Sequence, residues 1–169
     1  MARTLAIMFT VTTYGTWLRG DARGWIDDGR LMPPDPRREH MDRRRMKHEP
    51  FMFDQSHGSL LAIGGAMGEG LICRLDVMIY ALAVQPWHAH FVIRTPRQEV
   101  AEVAKAAKEV VRWHVRANRP IWGDGYDKRF CFDEASVWNR IRYVERHNEE
   151  IGLPRRPWGF LAPYPRSSR

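Results

Sequence analysis

The feature that most limits the fold is a pair of apolar segments separated by a proline. Residues 74–84, RLDVMIYALAV, are apolar on both faces, as a central strand would be. After Pro86 the segment HAHFVIRT, residues 88–95, continues the apolar pattern, so we predict a second strand. Together the two segments predict an antiparallel hairpin at the centre of the chain.

The flanking segments complete an alternation of strands and helices. Thr95, Pro96 and Gln98 match a helix-start signature, and Asp133 is a second predicted N-cap. The predicted elements are strands at 4–13, 74–84, 88–95 and 129–132 and helices at 54–72, 96–118 and 134–150. The order β-α-β-β-α-β-α predicts an α+β fold, a ferredoxin-like (RRM-like) antiparallel sheet with helices packed on it.

The length of 169 residues predicts a single domain, 1–169, with two unusual segments. Residues 19–50 form a long polar insertion, in which we expect Pro33, Pro34 and Pro36 to block regular structure. Residues 154–169 form a Pro- and Arg-rich tail.

The charge balance favours a polyanionic partner. Lys and Arg total 27 against 20 Asp and Glu, a net charge of +7, which is typical of proteins that bind nucleic acid. A basic but inert surface is the alternative. Cys73 and Cys131 lie in apolar contexts without metal-binding spacing, so we expect reduced core thiols rather than a disulfide. No apolar run suggests a membrane span or signal peptide, and we expect a cytoplasmic protein.

Two groups of polar side chains are candidates for chemistry. His88 and His90 alternate onto one face of a strand, about 7 Å apart, where they could converge on one cation or phosphate. Tyr143 and His147 are one helical turn apart at the edge of the apolar arc of the last helix. Asn148 lies within that arc and is a second candidate. Taken singly, each could equally be an ordinary surface or boundary residue.

Taken together, these motifs resemble a known family. The segments TTYGTWLRGDARGWID, QPWHAHFVIR and IRYVERHNEEIGLPRRPWGF are similar, in order and spacing, to those of the HUH single-strand DNA transposases. More narrowly, they resemble the single-tyrosine, REP-associated branch, which is similar to insertion-sequence transposases.

The resemblance implies a catalytic site. His88 and His90 would bind a divalent cation, Mg²⁺ or Mn²⁺, and Tyr143 on the last helix would be the nucleophile that forms a 5′-phosphotyrosine. His147 would be the third ligand, where relatives usually carry Gln or Asn. Asn148 is the alternative ligand if the helix is rotated.

The resemblance also implies a partner, namely single-stranded DNA beside a hairpin such as a REP palindrome, bound by a monomer or homodimer associated with the nucleoid. Trp87 departs from the family, since relatives usually have Asn there. The candidate DNA contacts are Arg43, Arg44, Arg45, Arg94, Arg112, Arg116, Arg119, Lys128, Arg129, Arg140, Arg142, Trp17, Trp25, Trp87 and Trp122.

Two alternative functions can be compared with the same sequence. A domesticated hairpin-binding protein would keep the fold without transposing. An RNA-binding ferredoxin-like domain would need aromatic side chains on adjacent central strands, which Phe9, Tyr80 and Phe91 do not supply in a recognised motif.

Overall fold

A four-stranded antiparallel sheet organises the chain. This is a computed structural model, which describes residues 3–165. The elements are β1 (Ala6–Thr12), β2 (Trp25–Asp27), β3 (Arg30–Met32), α1 (Pro36–Arg45), α2 (His57–Leu75), β4 (Ile79–Gln85), β5 (His88–Arg94), α3 (Val100–Val115), β6 (Asp127–Cys131) and α4 (Glu134–Glu150). The main sheet has the order β4-β5-β1-β6, which confirms the predicted α+β class and its split βαβ connections.

The predicted central hairpin is confirmed, although its first strand starts later than expected. β4 and β5 pair antiparallel, with Ala83 opposite His90 and Gln85 opposite His88. β4 begins at Ile79 because α2 continues to Leu75 and ends where Asp76 adopts a left-handed conformation. Apolar residues 74–78 therefore belong to a helix end and its connection.

The sheet separates two cores, and strand alternation assigns each residue of β5 to one of them. Ala89, Phe91 and Ile93 pack with α2 and α3 on one face, as predicted. Val92 packs with α4 on the other face. His88, like His90 and Val92, therefore faces α4.

The expectation that prolines keep residues 19–50 irregular is wrong. β2 and β3 form a small hairpin whose turn, Asp28-Gly29, has positive φ at both residues. α1 follows, with Pro36 in its first turn and the Asp35 carboxylate accepting a hydrogen bond from the Arg38 amide at 3.1 Å. Proline is tolerated there because the first amides of a helix have no partner within the helix.

The start predicted for α3 is also wrong, because its signature residues make tertiary bonds instead. The Thr95 hydroxyl donates to the carbonyl of Thr4, and the Gln98 amide donates to that of Leu75. The helix begins at Val100 and ends at Val115. By contrast, α4 begins as predicted, with the Asp133 carboxylate accepting from the Ser136 amide at 2.7 Å.

The C-terminal segment, residues 153–165, folds back over α2 and β4. The Trp158 indole donates to the Leu61 carbonyl, and the Ala162 amide donates to the Ile79 carbonyl. Residues 166–169 of the predicted tail lie outside the described residues. Within residues 3–165, no helix combines the length and apolar character needed to cross a membrane.

The glycines of α2 explain how this segment packs so closely. A Cβ atom on Gly64 would overlap the Trp158 ring, and one on Gly68 would overlap the Phe160 ring. These glycines weaken the helix locally, but they create the groove that the C-terminal aromatic rings fill.

We predict that Gly64→Ala lowers the free energy of unfolding by about 1–3 kcal/mol, because the added methyl group must displace the Trp158 ring. Urea denaturation of the purified variant measures this change.

Gly58→Ala is the matched control, since a Cβ there would meet no atom within 4 Å. This variant should be unchanged or more stable by up to about 1 kcal/mol, because alanine has the higher helix propensity. Equal losses in both variants would contradict the packing account.

Candidate metal centre and active site

Helix α4 lies over β4 and β5 because both surfaces are apolar and the strand side chains are small. Val137, Ile141 and Val144 of the helix are buried on the sheet face that carries Ala81 and Ala83. The small alanine side chains allow a close approach of the helix. The polar edge of α4, with Tyr143 and His147, is thereby placed beside the histidines of β5.

Three imidazoles converge at this contact. The ring centroids of His88 and His90 are 4.4 Å apart, and the His147 ring lies 5.4 and 4.6 Å from them. One nitrogen from each ring lies within 4.8 Å of the other two, so the group could hold a metal ion. His88 and His90 are buried, and His147 is half-buried.

Hydrogen bonds orient two of the three rings. His147 Nδ1 lies 2.9 Å from the Tyr143 carbonyl, which can only accept, so Nδ1 carries a proton and Nε2 is the nitrogen left for a metal ion. His90 Nδ1 lies 2.8 Å from the Thr10 hydroxyl. Among the described residues, neither ring nitrogen of His88 has a partner. Because unpaired buried nitrogens are costly, this arrangement fits a metal ligand.

Burial keeps the two strand imidazoles uncharged. It lowers the pKa of His88 to about 3, with smaller contributions from His147 and Arg23. It also holds the pKa of His90 well below its usual range, assisted by His88 and His147. Both rings are therefore neutral at pH 7, the form that coordinates metals.

Tyr143 lies at the solvent side of the cluster. Its ring centroid is 4.6 Å from that of His147 and 5.4 Å from that of His90. The residue is 40% exposed, so an external substrate can reach the phenol. The arrangement combines an accessible phenol with a potential cation site.

Asn148, the alternative third ligand, is fully buried, and its Nδ2 donates to the carbonyls of Leu82 at 2.9 Å and Arg155 at 3.0 Å. Its Oδ1, the atom that could bind a cation, has no hydrogen-bond partner among the described residues. His147 is the residue of α4 whose ring lies against both strand imidazoles.

Two side chains at the site were missed in the sequence. Thr10 contacts His90 because these two residues lie opposite each other where β1 pairs with β5. This strand register cannot be read from the sequence. Arg23 belongs to the polar insertion and stacks on Trp17 and Trp87. Its only sequence signal is its position between Trp17 and Trp25 in the polar insertion.

Two of the predicted DNA contacts adjoin the candidate site, and a third lies on the same face of the sheet. Trp87 touches His88, with ring centroids 3.8 Å apart, and Trp17 lies next to Trp87. Arg129 is opposite Met8 on the sheet face that carries α4, and it bonds Asp127 at 3.0 Å.

The other predicted contacts are distributed over the molecule. Arg94 ends β5, about 20 Å along the strand from His88. Lys128 is opposite Phe9 and faces the other side of the sheet. The remaining arginines lie on α1 (Arg43, Arg44, Arg45), α3 and the loop after it (Arg112, Arg116, Arg119) and α4 (Arg140, Arg142).

Two of the tryptophans named as candidate DNA contacts have internal roles. Trp25 is buried and donates to the Pro33 carbonyl, so it is a core residue rather than a DNA contact. Trp122 is half-buried and donates to the Lys108 carbonyl.

Comparison with known proteins gives a likeness of fold. No protein-family model matches the chain, and no curated protein matches it. A solved REP-associated tyrosine transposase bound to a REP hairpin is similar over 95% of this chain and 78% of its own, with a TM-score of 0.51 and 11% identity. A protein of Deinococcus radiodurans, provisionally described as a transposase, is similar over 87% of this chain and 93% of its own, with a TM-score of 0.43 and 12% identity. The first of these likenesses shows that the chain shares the transposase fold.

Acidification should destabilise the metal-free protein. Between pH 6.5 and about 3, unfolded chains protonate the histidine at position 88 while the folded chain does not. The unfolded state then binds more protons, so the free energy of unfolding falls as the pH falls, by at most about 1.4 kcal/mol per pH unit for this group.

Urea denaturation at pH 7, 6, 5 and 4 with a chelator measures this slope. His88→Leu should make the slope shallower over the same range, while His90 continues to contribute to it. An identical slope in the variant would exclude His88 as its source.

We also predict that Thr10→Val weakens Mn²⁺ binding roughly 10- to 100-fold, because residues that orient a ligating imidazole have effects of that size. Calorimetric titration with Mn²⁺ measures it. Thr12→Val is the control, since Thr12 lies on the same strand face but makes no hydrogen bond to an imidazole within residues 3–165. Equal affinities in all three proteins would contradict an orienting role for Thr10.

Proposed function

We propose that this protein is a metal-dependent DNA strand transferase that cleaves and rejoins single-stranded DNA beside a hairpin, with Tyr143 as nucleophile. The observation that carries the proposal is the position of the Tyr143 ring against two of three clustered imidazoles, 4.6 Å from His147 and 5.4 Å from His90. A solvent-accessible phenol beside a three-nitrogen cation site suits attack on a phosphodiester.

His88, His90 and His147 would hold the cation. Three nitrogen donors favour Mn²⁺ or another transition ion over Mg²⁺, which prefers oxygen ligands. When bound, the ion would supply positive charge that neutralises the phosphate oxygens during the reaction.

Tyr143 would attack phosphorus in line with the 3′ oxygen of the DNA. The phenol proton leaves to water as the new O–P bond forms. The P–O3′ bond breaks, the 3′ oxygen takes up a proton, and a 5′-phosphotyrosine remains. Attack by a second 3′-OH reverses these steps and joins a new strand without external energy, because one phosphodiester bond replaces another.

The choice of DNA rests on charge and on the likeness of fold. The net charge of +7 favours a polyanion, and the solved transposase of similar fold is bound to a REP hairpin. We infer a hairpin-bearing single strand as the substrate, which would associate the protein with the nucleoid.

We predict that Tyr143→Phe abolishes a covalent protein–DNA adduct while retaining DNA binding. A hairpin-bearing oligonucleotide, labelled at its 3′ end and incubated with Mn²⁺, should give a slow band on a denaturing gel with the unaltered protein only. The 3′ label must follow the adduct, since the phosphotyrosine retains that side of the break.

Tyr126→Phe is the control, because it removes one tyrosine hydroxyl at a residue that packs against Phe9 on the sheet face opposite α4. It should form the adduct normally. Binding without cleavage by every protein, the unaltered one included, would instead indicate a hairpin-binding protein.

A further inference from the structure

An aromatic and cationic cluster adjoins the imidazoles. The rings of Trp17 and Trp87 have centroids 5.8 Å apart, and the Arg23 guanidinium carbon lies 4.5 and 4.9 Å from them. The Trp87 ring is 3.8 Å from that of His88. The Trp17–Arg23–Trp87 cluster therefore extends from the candidate metal centre to the loop before β2.

Hydrogen bonds hold the Trp17–Arg23–Trp87 cluster in place. Arg23 donates through Nε and Nη2 to the two carboxylate oxygens of Asp21, at 2.7 and 2.6 Å, and also to the Thr16 carbonyl at 2.9 Å. The Trp17 indole donates to the Gly24 carbonyl at 2.7 Å. Asp21 is buried, so its carboxylate fixes the position of the Arg23 guanidinium.

The same cluster remains open to solvent. Trp17 is 36% exposed, and the Arg23 side chain is 46% exposed. No hydrogen bond within residues 3–165 uses Arg23 Nη1. A tryptophan that is fixed yet exposed, beside a guanidinium with a free edge, presents a stacking surface and a phosphate donor together.

We propose that the Trp17–Arg23–Trp87 cluster is a nucleotide subsite for single-stranded DNA, which stacks one base beside the cleaved phosphate. This inference rests on the proposed function, since it takes DNA as the substrate. The base stacks on the exposed face of Trp17, and Arg23 contacts the neighbouring phosphate. Every base offers a stacking face, so the subsite fixes the position of the strand rather than its sequence.

Fluorescence anisotropy with two probes of equal charge tests the subsite without cleavage. The probes are a labelled 15-residue oligothymidylate and an abasic strand of the same length, both in EDTA. The unaltered protein should prefer the oligothymidylate. Trp17→Ala should weaken that binding roughly 5- to 150-fold and leave the abasic strand unaffected.

Two variants guard against misfolding or a general loss of aromatic surface. Trp17→Phe keeps a ring and should retain most of the preference for bases. Trp113→Ala removes a tryptophan that is 73% exposed on α3 and should change nothing.

Arg23→Lys keeps the charge but loses the planar stack, so it should weaken binding to both probes.

Three results would overturn the subsite. The first two are no preference for bases in the unaltered protein and an unchanged preference in Trp17→Ala. The third is tighter binding of an RNA probe, oligouridylate, than of oligothymidylate, because the subsite would then serve RNA rather than DNA. The adduct assay with Tyr143→Phe is independent of these. A preference for bases without an adduct would reject only the proposed reaction, and an adduct without that preference would reject only the subsite.

Discussion

The packing of α4 on β4 and β5 is the contact on which the site depends. His88 and His90 reach one sheet face by strand alternation alone, but His147 and Tyr143 join them only if the helix crosses that face closely. Small alanines on β4 permit the approach. The buried Asn148 amide, bonded to the Leu82 carbonyl, then fixes the rotation of the helix.

The C-terminal segment reinforces that contact. Arg156 donates both to the Tyr80 carbonyl of β4 and to the Glu145 carboxylate of α4, and Tyr164 donates to the same carboxylate. Glu145 is buried, so these bonds satisfy a charge that would otherwise destabilise the helix contact. Trp158 fills the glycine groove of α2, which ties the segment to the opposite core. A site containing unpaired imidazole nitrogens is thus held between two well-packed layers.

Much of the fold follows from periodicity, whereas convergence at the site does not. Strand alternation placed His88 and His90 together, and the helical repeat placed Tyr143 beside His147. The crossing of α4 over β5 depends on tertiary packing, and the role of Thr10 depends on strand register, neither of which local sequence specifies. Pro36 was expected to block regular structure, but it lies in the first turn of α1. A proline is tolerated there, and the local sequence does not say whether a proline will interrupt a helix or begin one.

The central claim is that the three imidazoles form one metal centre, and a crystal structure with Mn²⁺, using anomalous scattering from manganese, tests it most directly. The account predicts one ion per chain, bonded to His147 Nε2 and to one ring nitrogen each of His88 and His90. An ion bound elsewhere, or no ion at saturating Mn²⁺, would contradict it.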